Sequence, residues 1–326
     1  MISSKLIDSL YLSFIKLFEL KLRKHFFLLL VLVIQAIGPT LLYAQENLPL
    51  DKNGPLTPIR DLRCDGLESK LKEVIFKNPK WKNLVSSKRM AIGIVSFEDL
   101  ESIKYAGLND DHMMYAASLP KIAVLLAAFD AIEKGKLKYT AELNDNLKLM
   151  ISKSNNAATT KVIDQLGFES IENTLRNTNH KLYDEETGGG LWVGKRYAKS
   201  GVRKPDPLAG LSHGATASQV ASFYYQLVFG HLISKERSAQ MLKILKDPEL
   251  SHKFVNTLKT IAPDTDIYRK SGSWKNYHSD SVLVWGKDRK YIMVALIEDA
   301  GGEQIIRDLV IPLESALEVS SSLRCN

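Results

Sequence analysis

The order of strand-like and helix-like segments constrains the fold of this chain more than any other feature. Short apolar runs typical of strands occur early, at about 90–97 and 102–107, and again late, at about 267–274, 281–285 and 291–298. Segments with helical periodicity lie between them, at about 122–132, 145–152, 156–166, 171–178, 217–229 and 238–245. Two more helices are predicted outside the strands, at about 67–76 and 303–319. The simplest architecture is α/β (α+β): an antiparallel sheet built from both chain ends, with flanking helices and an inserted all-helical domain.

The predicted domain boundaries follow this order. Residues 45–60 are polar and contain prolines, which is typical of a linker. Residues 61–112 and 263–326 supply the two parts of the α/β domain, and residues 113–262 supply the helical domain. Residues 183–214 are rich in Gly and Lys with weak periodicity, and so predict a long loop of the kind that is often functional.

Residues 1–44 predict export. Lys21, Arg23 and Lys24 precede an apolar run from Phe26 to Ile37, and Ala44 offers a small residue for cleavage. A basic segment, a short apolar core and a small cleavage residue make a secretory signal peptide. The alternative is an uncleaved membrane anchor, but a spanning helix needs about 20 apolar residues. We therefore expect a periplasmic or secreted protein with no stable membrane association after cleavage.

Charge and cysteine usage limit the partners of the exported part. The whole chain has a net charge of +7, and residues 1–44 hold five of its Lys and Arg and two of its acidic residues. The remaining residues have a net charge of +4, and their basic side chains are scattered along the sequence, which gives no support to nucleic-acid binding. The two cysteines, Cys64 and Cys325, form either one disulfide in an oxidising compartment or two unpaired thiols.

Ser118-Leu119-Pro120-Lys121 is the candidate catalytic motif. Residues three apart on a helix share a face, so we expect Lys121 to lie against the Ser118 hydroxyl. The apolar segment that follows would bury Lys121 and lower its pKa, so that a neutral amine deprotonates the serine. Ser69-Lys70-Leu71-Lys72 has the same spacing on a polar helix face and is interpreted as coincidental. The spacing alone therefore does not establish a catalytic role for Ser118, and other motifs must support it.

Two further polar motifs supply that context. Ser154-Asn155-Asn156 lies between two predicted helices, where a hydroxyl can relay a proton and an amide can hold an amine and a substrate carbonyl. Lys270-Ser271-Gly272 lies in the first late strand, and Gly272 would let a substrate backbone approach. The Ser273 amide could form an oxyanion hole with that of Ser118. Taken singly, the motifs are also compatible with a polar turn and with a strand containing a glycine.

Together, in this order, the three motifs resemble the Ser-x-x-Lys, Ser-Asp-Asn and Lys-Thr-Gly boxes of class A β-lactamases and penicillin-binding proteins, over residues 90–319. The resemblance implies a monomeric serine hydrolase without a cofactor or metal, which opens β-lactam rings through an acyl-enzyme on Ser118 (β-lactam catabolism, antibiotic resistance). Lys121 and Ser154 would be catalytic. The substrate-binding residues would be Asn156, Lys270, Ser271, Gly272 and Ser273.

Other functions stay open within this resemblance. One is a D-Ala-D-Ala peptidase or acyltransferase of the penicillin-binding type, which acts on peptidoglycan peptides and deacylates slowly. Another is a catalytically silent exported binding domain. The resemblance also implies that the first and last helices pack together, which would bring Cys64 and Cys325 close enough for a disulfide.

Several positions depart from the family pattern. Asn155 replaces the Asp of the second box and Ser271 replaces the Thr of the third. Asp280 aligns with the strand position where class A enzymes often carry a carboxylate-binding Arg. For the deacylating carboxylate we expect Glu186, with Glu185 as the alternative, although Gly190 stands where the family has an Asn. Both glutamates are equally compatible with solvated loop positions.

Two rival enzyme classes have weaker support. Gly210-Leu211-Ser212-His213-Gly214 matches a nucleophile elbow, but an elbow requires a buried strand before it, and the Pro-containing residues 202–207 do not predict one. We interpret it as a loop leading into the helix at 217. The seven histidines show no HxH or HxxxH spacing, so a metallohydrolase is not expected.

Overall fold

A five-stranded antiparallel sheet is the framework of the protein. The computed structural model describes residues 47–50, 54–318, 320, 323 and 325, so the predicted signal peptide lies outside the described residues. The strands of the main sheet are β1 (Met90–Ser96), β2 (Lys104–Leu108), β8 (Asp266–Trp274), β9 (Tyr277–Trp285) and β10 (Lys290–Glu298), in the order β2-β1-β10-β9-β8. Since β1 pairs with β10, the early and late parts of the chain share one sheet, which confirms the predicted fold.

The helices fall into two groups along the chain. Before residue 90 and after residue 216, the chain forms α1 (Asp65–Phe76), α2 (Pro79–Ser86), α7 (Ala217–Val228), α8 (Lys235–Leu245), α9 (Phe254–Ile261) and α10 (Gly302–Glu318). Between residues 116 and 182 it forms the inserted helices, which are α3 (Lys121–Glu133), α4 (Ala141–Ser152), α5 (Asn156–Leu166) and α6 (Phe168–Leu175). The five minor strands are β3 (Met114–Tyr115), β4 (Tyr183–Asp184), β5 (Gly189–Gly190), β6 (Trp192–Val193) and β7 (His213–Ala215).

Successive side chains of β1 point to opposite faces of the sheet and pack into two separate hydrophobic cores. Met90, Ile92 and Ile94 pack against α1, α2, α9 and α10 on one face. Ala91 and Val95 point to the other face, where α7 and the inserted helices pack. Every residue of β1 is buried. A strand covered on both faces reads as a continuous apolar run, which explains the unbroken pattern of this segment.

Two helices were not expected from the sequence. Asn78 caps α2 by accepting hydrogen bonds from the amides of Lys80 and Trp81, and Pro79 takes the first helical position. This Asn-Pro start is a recognisable helix signal. The helix α9 follows Lys253, whose φ of 58° is rare for a residue other than glycine, and no side chain caps its start. Local sequence therefore carries little information about α9.

The chain ends are joined covalently. Cys64 immediately precedes α1, and a disulfide bonds it to Cys325, which follows α10. Helices α1 and α10 pack on the same sheet face, as the family resemblance implied. Within the part of the chain that the structure describes, no helix has the length and apolarity needed to cross a membrane.

Candidate active site

Ser118 lies in the turn that leads into α3, at the junction of the sheet and the helical region. The turn is closed by bonds from the Leu119 amide to the Ala116 carbonyl (3.0 Å) and from the Lys121 amide to the Ser118 carbonyl (3.3 Å). Ala117 has a φ of 49°, a left-handed conformation that residues other than glycine seldom adopt. Ser118 stays partly exposed while its neighbours Ala117 and Leu119 are buried, so its hydroxyl remains accessible.

Lys121 is the buried base candidate, and its hydrogen bonds orient it. Its Nζ lies 2.7 Å from the Ser154 carbonyl oxygen, 2.8 Å from Asn156 Oδ1 and 3.3 Å from Ser154 Oγ. The first two partners can only accept hydrogen bonds. A neutral amine would donate its two hydrogens to these oxygens, and its lone pair could then accept a hydrogen bond from a hydroxyl. Burial lowers the pKa of Lys121 to about 7, so a large neutral fraction exists at neutral pH.

Ser154 connects the two lysines of the predicted site. It precedes α5 with a φ of 56°, and its Oγ lies 3.3 Å from Lys121 Nζ and 3.0 Å from Lys270 Nζ. A hydroxyl both donates and accepts, so Ser154 can pass a proton between them. Asn155 caps α5 by accepting from the Ala158 amide (2.8 Å). Asn and Asp are equally good caps, which explains why Asn155 is compatible with this fold.

The strand β8 brings the third motif to the same place. Lys270 is buried, and burial together with the nearby Lys121 charge lowers its pKa well below the usual value. A substrate carboxylate would supply the counter-charge that keeps Lys270 protonated. A Cβ atom at Gly272 would lie 2.5 Å from the Ser118 amide nitrogen, so only glycine permits this approach. The backbone at Gly272 therefore lies beside the Ser118 amide, which agrees with the predicted oxyanion hole of the Ser118 and Ser273 amides.

Buried charges behind β8 were missed by the sequence analysis. Lys253 donates to the Gly272 carbonyl (2.5 Å), to Ser273 Oγ (2.8 Å) and to the Ser279 carbonyl (3.1 Å). Asp280 forms a buried ion pair with Arg269 at 2.6 Å and accepts from the Phe254 amide, so it supports the strand rather than replacing a substrate-binding Arg. Because α9 itself was not predicted, no sequence pattern pointed to Lys253.

Among the described residues, no hydrogen bond or ion pair joins Glu186 to Lys121, Ser154 or Lys270. Glu185 and Glu186 are both exposed in a short 3-10 turn (Glu185–Thr187), and Glu185 pairs with Arg176 at 2.7 Å. The Thr187 carbonyl of this turn accepts from Arg60. None of the hydrogen bonds of Lys121 described above involves this turn. Another part of the predicted long loop reaches the candidate site, because the Tyr197 ring centroid lies 4.5 Å from Lys121 Nζ.

The two rival motifs have structural roles. The Ser212 hydroxyl bonds His213 Nδ1 at 3.1 Å, and the other ring nitrogen of His213 bonds the Lys195 carbonyl at 3.0 Å, so this pair holds a loop in place. No strand lies between Val193 and Ser212, all of which the structure describes, and β7 begins only after Ser212. Ser69 and Lys72 are both exposed on the surface of α1, where Lys72 Nζ lies 5.6 Å from the centroid of the Phe76 ring.

This fold, with the Ser118 turn between the sheet and the helices, is that of the serine β-lactamases. The chain belongs to the β-lactamase enzyme family, whose model matches residues 78–144 and 139–310. No curated protein sequence matches it.

Solved β-lactamases share this fold at low sequence identity. The β-lactamase of Sphaerobacter thermophilus DSM 20745 is 17% identical with a TM-score of 0.59, over 77% of this chain and 96% of its own. The reconstructed last common ancestor of the class A β-lactamases of Gram-negative bacteria is 16% identical with a TM-score of 0.58, over 77% and 99%. At these identities the likeness establishes the fold.

Proposed function

We propose that the protein is a serine hydrolase that opens β-lactam rings through an acyl-enzyme on Ser118. The observation that carries this proposal is the convergence of Lys121, Ser154 and Lys270 next to the turn that bears Ser118. In acylation, the Ser118 proton passes to the Lys121 amine as Oγ attacks the β-lactam carbonyl carbon. The Ser118 and Ser273 amides stabilise the resulting oxyanion.

Ser154 is suited to the second half of acylation. When the tetrahedral intermediate collapses, the bond from the carbonyl carbon to the ring nitrogen breaks, and that nitrogen needs a proton. Ser154 Oγ can donate its own proton and recover one from Lys121, 3.3 Å away. Lys270 holds the substrate carboxylate with Ser271 and, through its 3.0 Å contact, also orients Ser154.

A D-Ala-D-Ala peptidase or acyltransferase is the second candidate, and the surroundings of Lys121 favour it. No acidic side chain in the described residues lies within 4.0 Å of Lys121 Nζ, and Glu185 and Glu186 are exposed in a separate turn. Hydrolysis of the ester needs a base for water. We therefore expect fast acylation, which both candidates share, and slow deacylation, which favours the peptidase or acyltransferase.

We also propose that the protein works outside the cytoplasm. The disulfide between Cys64 and Cys325 supports this location, because disulfides persist in oxidising compartments. The signal-like residues 1–44 point the same way. Cell fractionation of the full-length protein tests the proposal, and recovery of reduced protein from the cytoplasm alone would refute it.

Intact-mass spectrometry during incubation with a penicillin tests the catalytic proposal. A covalent adduct with the mass of the intact penicillin should form and map to the peptide that contains Ser118. Ser118→Ala should abolish the adduct, whereas Ser212→Ala, in the motif resembling a nucleophile elbow, should leave it unchanged. An adduct that survives in Ser118→Ala would remove Ser118 as the nucleophile. The decay rate of the adduct then separates a β-lactamase from a slowly deacylating enzyme.

A further inference from the structure

The segment from Lys195 to Ser212 forms a loop whose ends are tied together. The Gly194 amide donates to the Ser212 carbonyl at 2.8 Å, and His213 Nε2 lies 3.0 Å from the Lys195 carbonyl. Burial lowers the pKa of His213 to about 4, so the ring is neutral at neutral pH. Since a carbonyl only accepts, Nε2 carries the ring hydrogen, and Nδ1 accepts from the Ser212 hydroxyl. The base of the loop is thus held by a neutral histidine.

This loop carries Tyr197 onto the catalytic lysine. The Tyr197 ring centroid lies 4.5 Å from Lys121 Nζ, within the range of a cation–π contact. The Tyr197 hydroxyl donates to the Ala117 carbonyl at 3.2 Å, and the ring packs against that of His213 with centroids 4.3 Å apart and planes tilted by 45°. Tyr197 therefore contacts both the proposed base and the left-handed residue that precedes the nucleophile.

We propose that Tyr197 is a positioning residue for Lys121, and that its ring keeps water from the flank of the lysine on which a deacylating water would be activated. The statement about deacylation rests on the proposed function of Ser118. The statement about the position and environment of Lys121 does not, because it concerns the free protein.

The contacts of Lys121 leave this flank to Tyr197. Two of the nearest oxygens, the Ser154 carbonyl and Asn156 Oδ1, take the hydrogens of the amine, and Ser154 Oγ lies on the side that leads to Lys270. A further close neighbour is the face of the Tyr197 ring, whose centroid lies 4.5 Å from Nζ. An aromatic face attracts a cation but cannot remove a proton from water. Burial also raises the pKa of the Tyr197 phenol well above its usual value, so the phenol does not act as a base.

Hydrolysis of the acyl-enzyme requires a base that accepts a proton from water, and the Tyr197 ring does not provide one. The water oxygen must bond to the acyl carbon while one of its protons passes to a base. The ester bond to Ser118 Oγ then breaks, and Oγ recovers a proton. With an aromatic ring rather than a carboxylate against Lys121, no second base orients that water. A long-lived acyl-enzyme follows from this geometry.

The charged and titratable groups around Lys121 determine how it should titrate. Lys270 lies across Ser154 from Lys121, and burial together with the Lys121 charge lowers the pKa of Lys270 well below its usual value. His213, behind the Tyr197 ring, is neutral. The Ser154 and Asn156 oxygens accept hydrogen bonds in both protonation states. Replacing the ring by water would hydrate the ammonium and raise the pKa of Lys121.

Nuclear magnetic resonance of lysine methylene groups labelled with ¹³C at Cε tests the positioning role in the free protein. The Lys121 signal, assigned by its loss in Lys121→Arg, should show an upfield ring-current shift in the wild type and in Tyr197→Phe. That shift should vanish in Tyr197→Ala and in Tyr197→Leu, which retains most of the apolar volume. The titration midpoint should rise by on the order of one pH unit in Tyr197→Ala. Tyr139→Ala, at an exposed tyrosine, is the matched control.

Acyl-enzyme lifetime, followed by intact mass after a penicillin pulse, tests the second part. Tyr197→Phe should retain the wild-type lifetime, and Tyr197→Ala should shorten it by about tenfold or more. An unchanged Lys121 signal in both Tyr197→Ala and Tyr197→Leu would overturn the positioning role. An unchanged lifetime in Tyr197→Ala would overturn the exclusion of water. If the wild type forms no adduct while the Lys121 signal behaves as expected, the proposed function fails and the positioning role stands.

Discussion

The side-chain carbonyl oxygen of Asn156 lies 2.8 Å from Nζ of Lys121, although 35 residues separate the two in the chain. Lys121 begins α3 and Asn156 begins α5, so the packing of two helices determines this distance. Because Oδ1 only accepts, it occupies one hydrogen of the amine in either protonation state. The bond therefore orients the lone pair of Lys121 without consuming it.

The first prediction concerns Lys121 as the general base. Acylation of Ser118 should increase with pH and reach half of its maximum near pH 7, because burial lowers the pKa of Lys121 to about 7 and only the neutral amine accepts the proton. Lys121→Ala should slow acylation by roughly 100-fold or more, and Lys121→Arg should be almost as slow because a guanidinium does not deprotonate. Stopped-flow acylation across pH 5–9 measures both effects.

The control for this prediction is Lys72→Ala, which alters the coincidental Ser-x-x-Lys motif on α1. It should leave the rate and its pH dependence unchanged. A fully active Lys121→Arg variant would contradict the role of Lys121 as a base.

The second prediction separates substrate binding from chemistry at Lys270. Lys270→Ala should lower kcat/KM for substrates that carry the carboxylate by roughly 10- to 100-fold, the value of a charge-assisted hydrogen bond of about 1.5–3 kcal/mol. Substrates that lack the carboxylate should lose much less. Equal losses for both would show that Lys270 acts mainly through its 3.0 Å contact with Ser154.

The third prediction concerns the close approach at Gly272. In Gly272→Ala, the added methyl group would lie 2.5 Å from the Ser118 amide nitrogen and must displace backbone. We expect acylation to fall by roughly 100- to 1,000-fold, the cost of losing an oxyanion-hole donor. Gly301→Ala, whose methyl group would meet only the ends of two side chains, is the matched control. Normal acylation in a folded Gly272→Ala protein would remove the oxyanion hole from this location.

The fourth prediction tests the two glutamates once expected to drive deacylation. Because Glu185 and Glu186 are exposed and Glu185 pairs with Arg176, Glu185→Gln and Glu186→Gln should leave both acylation and the acyl-enzyme lifetime unchanged. Mass spectra of the two variants and the wild type after a penicillin pulse provide the comparison. Accumulation of the acyl-enzyme in Glu186→Gln alone would restore that residue as the deacylating carboxylate.

The fifth prediction concerns the disulfide. Cys64→Ser combined with Cys325→Ser should lower the free energy of unfolding by about 2–4 kcal/mol, because the bond restricts a long loop in the unfolded chain. Urea denaturation of the oxidised wild type and the variant measures the difference. A reductant should destabilise the wild type by a similar amount and leave the variant unaffected. Equal stability of the variant and the oxidised wild type would contradict the prediction.

Local sequence determined the parts of this protein that depend on periodicity and short spacing. The helix predicted at 156–166 matches α5, and the strand predicted at 267–274 matches β8 within one residue, because alternation and capping are local properties. Ser118 and Lys121 were recognisable because their spacing matches one turn of helix. The order of the strands also sufficed to predict a sheet shared by both chain ends.

Only the tertiary structure decided what surrounds Lys121. Tyr197 lies in an irregular loop, and its contact with Lys121 depends on the closure of that loop by His213, which leaves no periodic signal. The chemistry and chain position of Glu186 predict a deacylating carboxylate, but Glu186 is exposed in the turn where Glu185 pairs with Arg176. Lys253 likewise reaches β8 only through the packing of α9. Contacts between distant segments are determined by how helices and loops pack, and no short pattern encodes them.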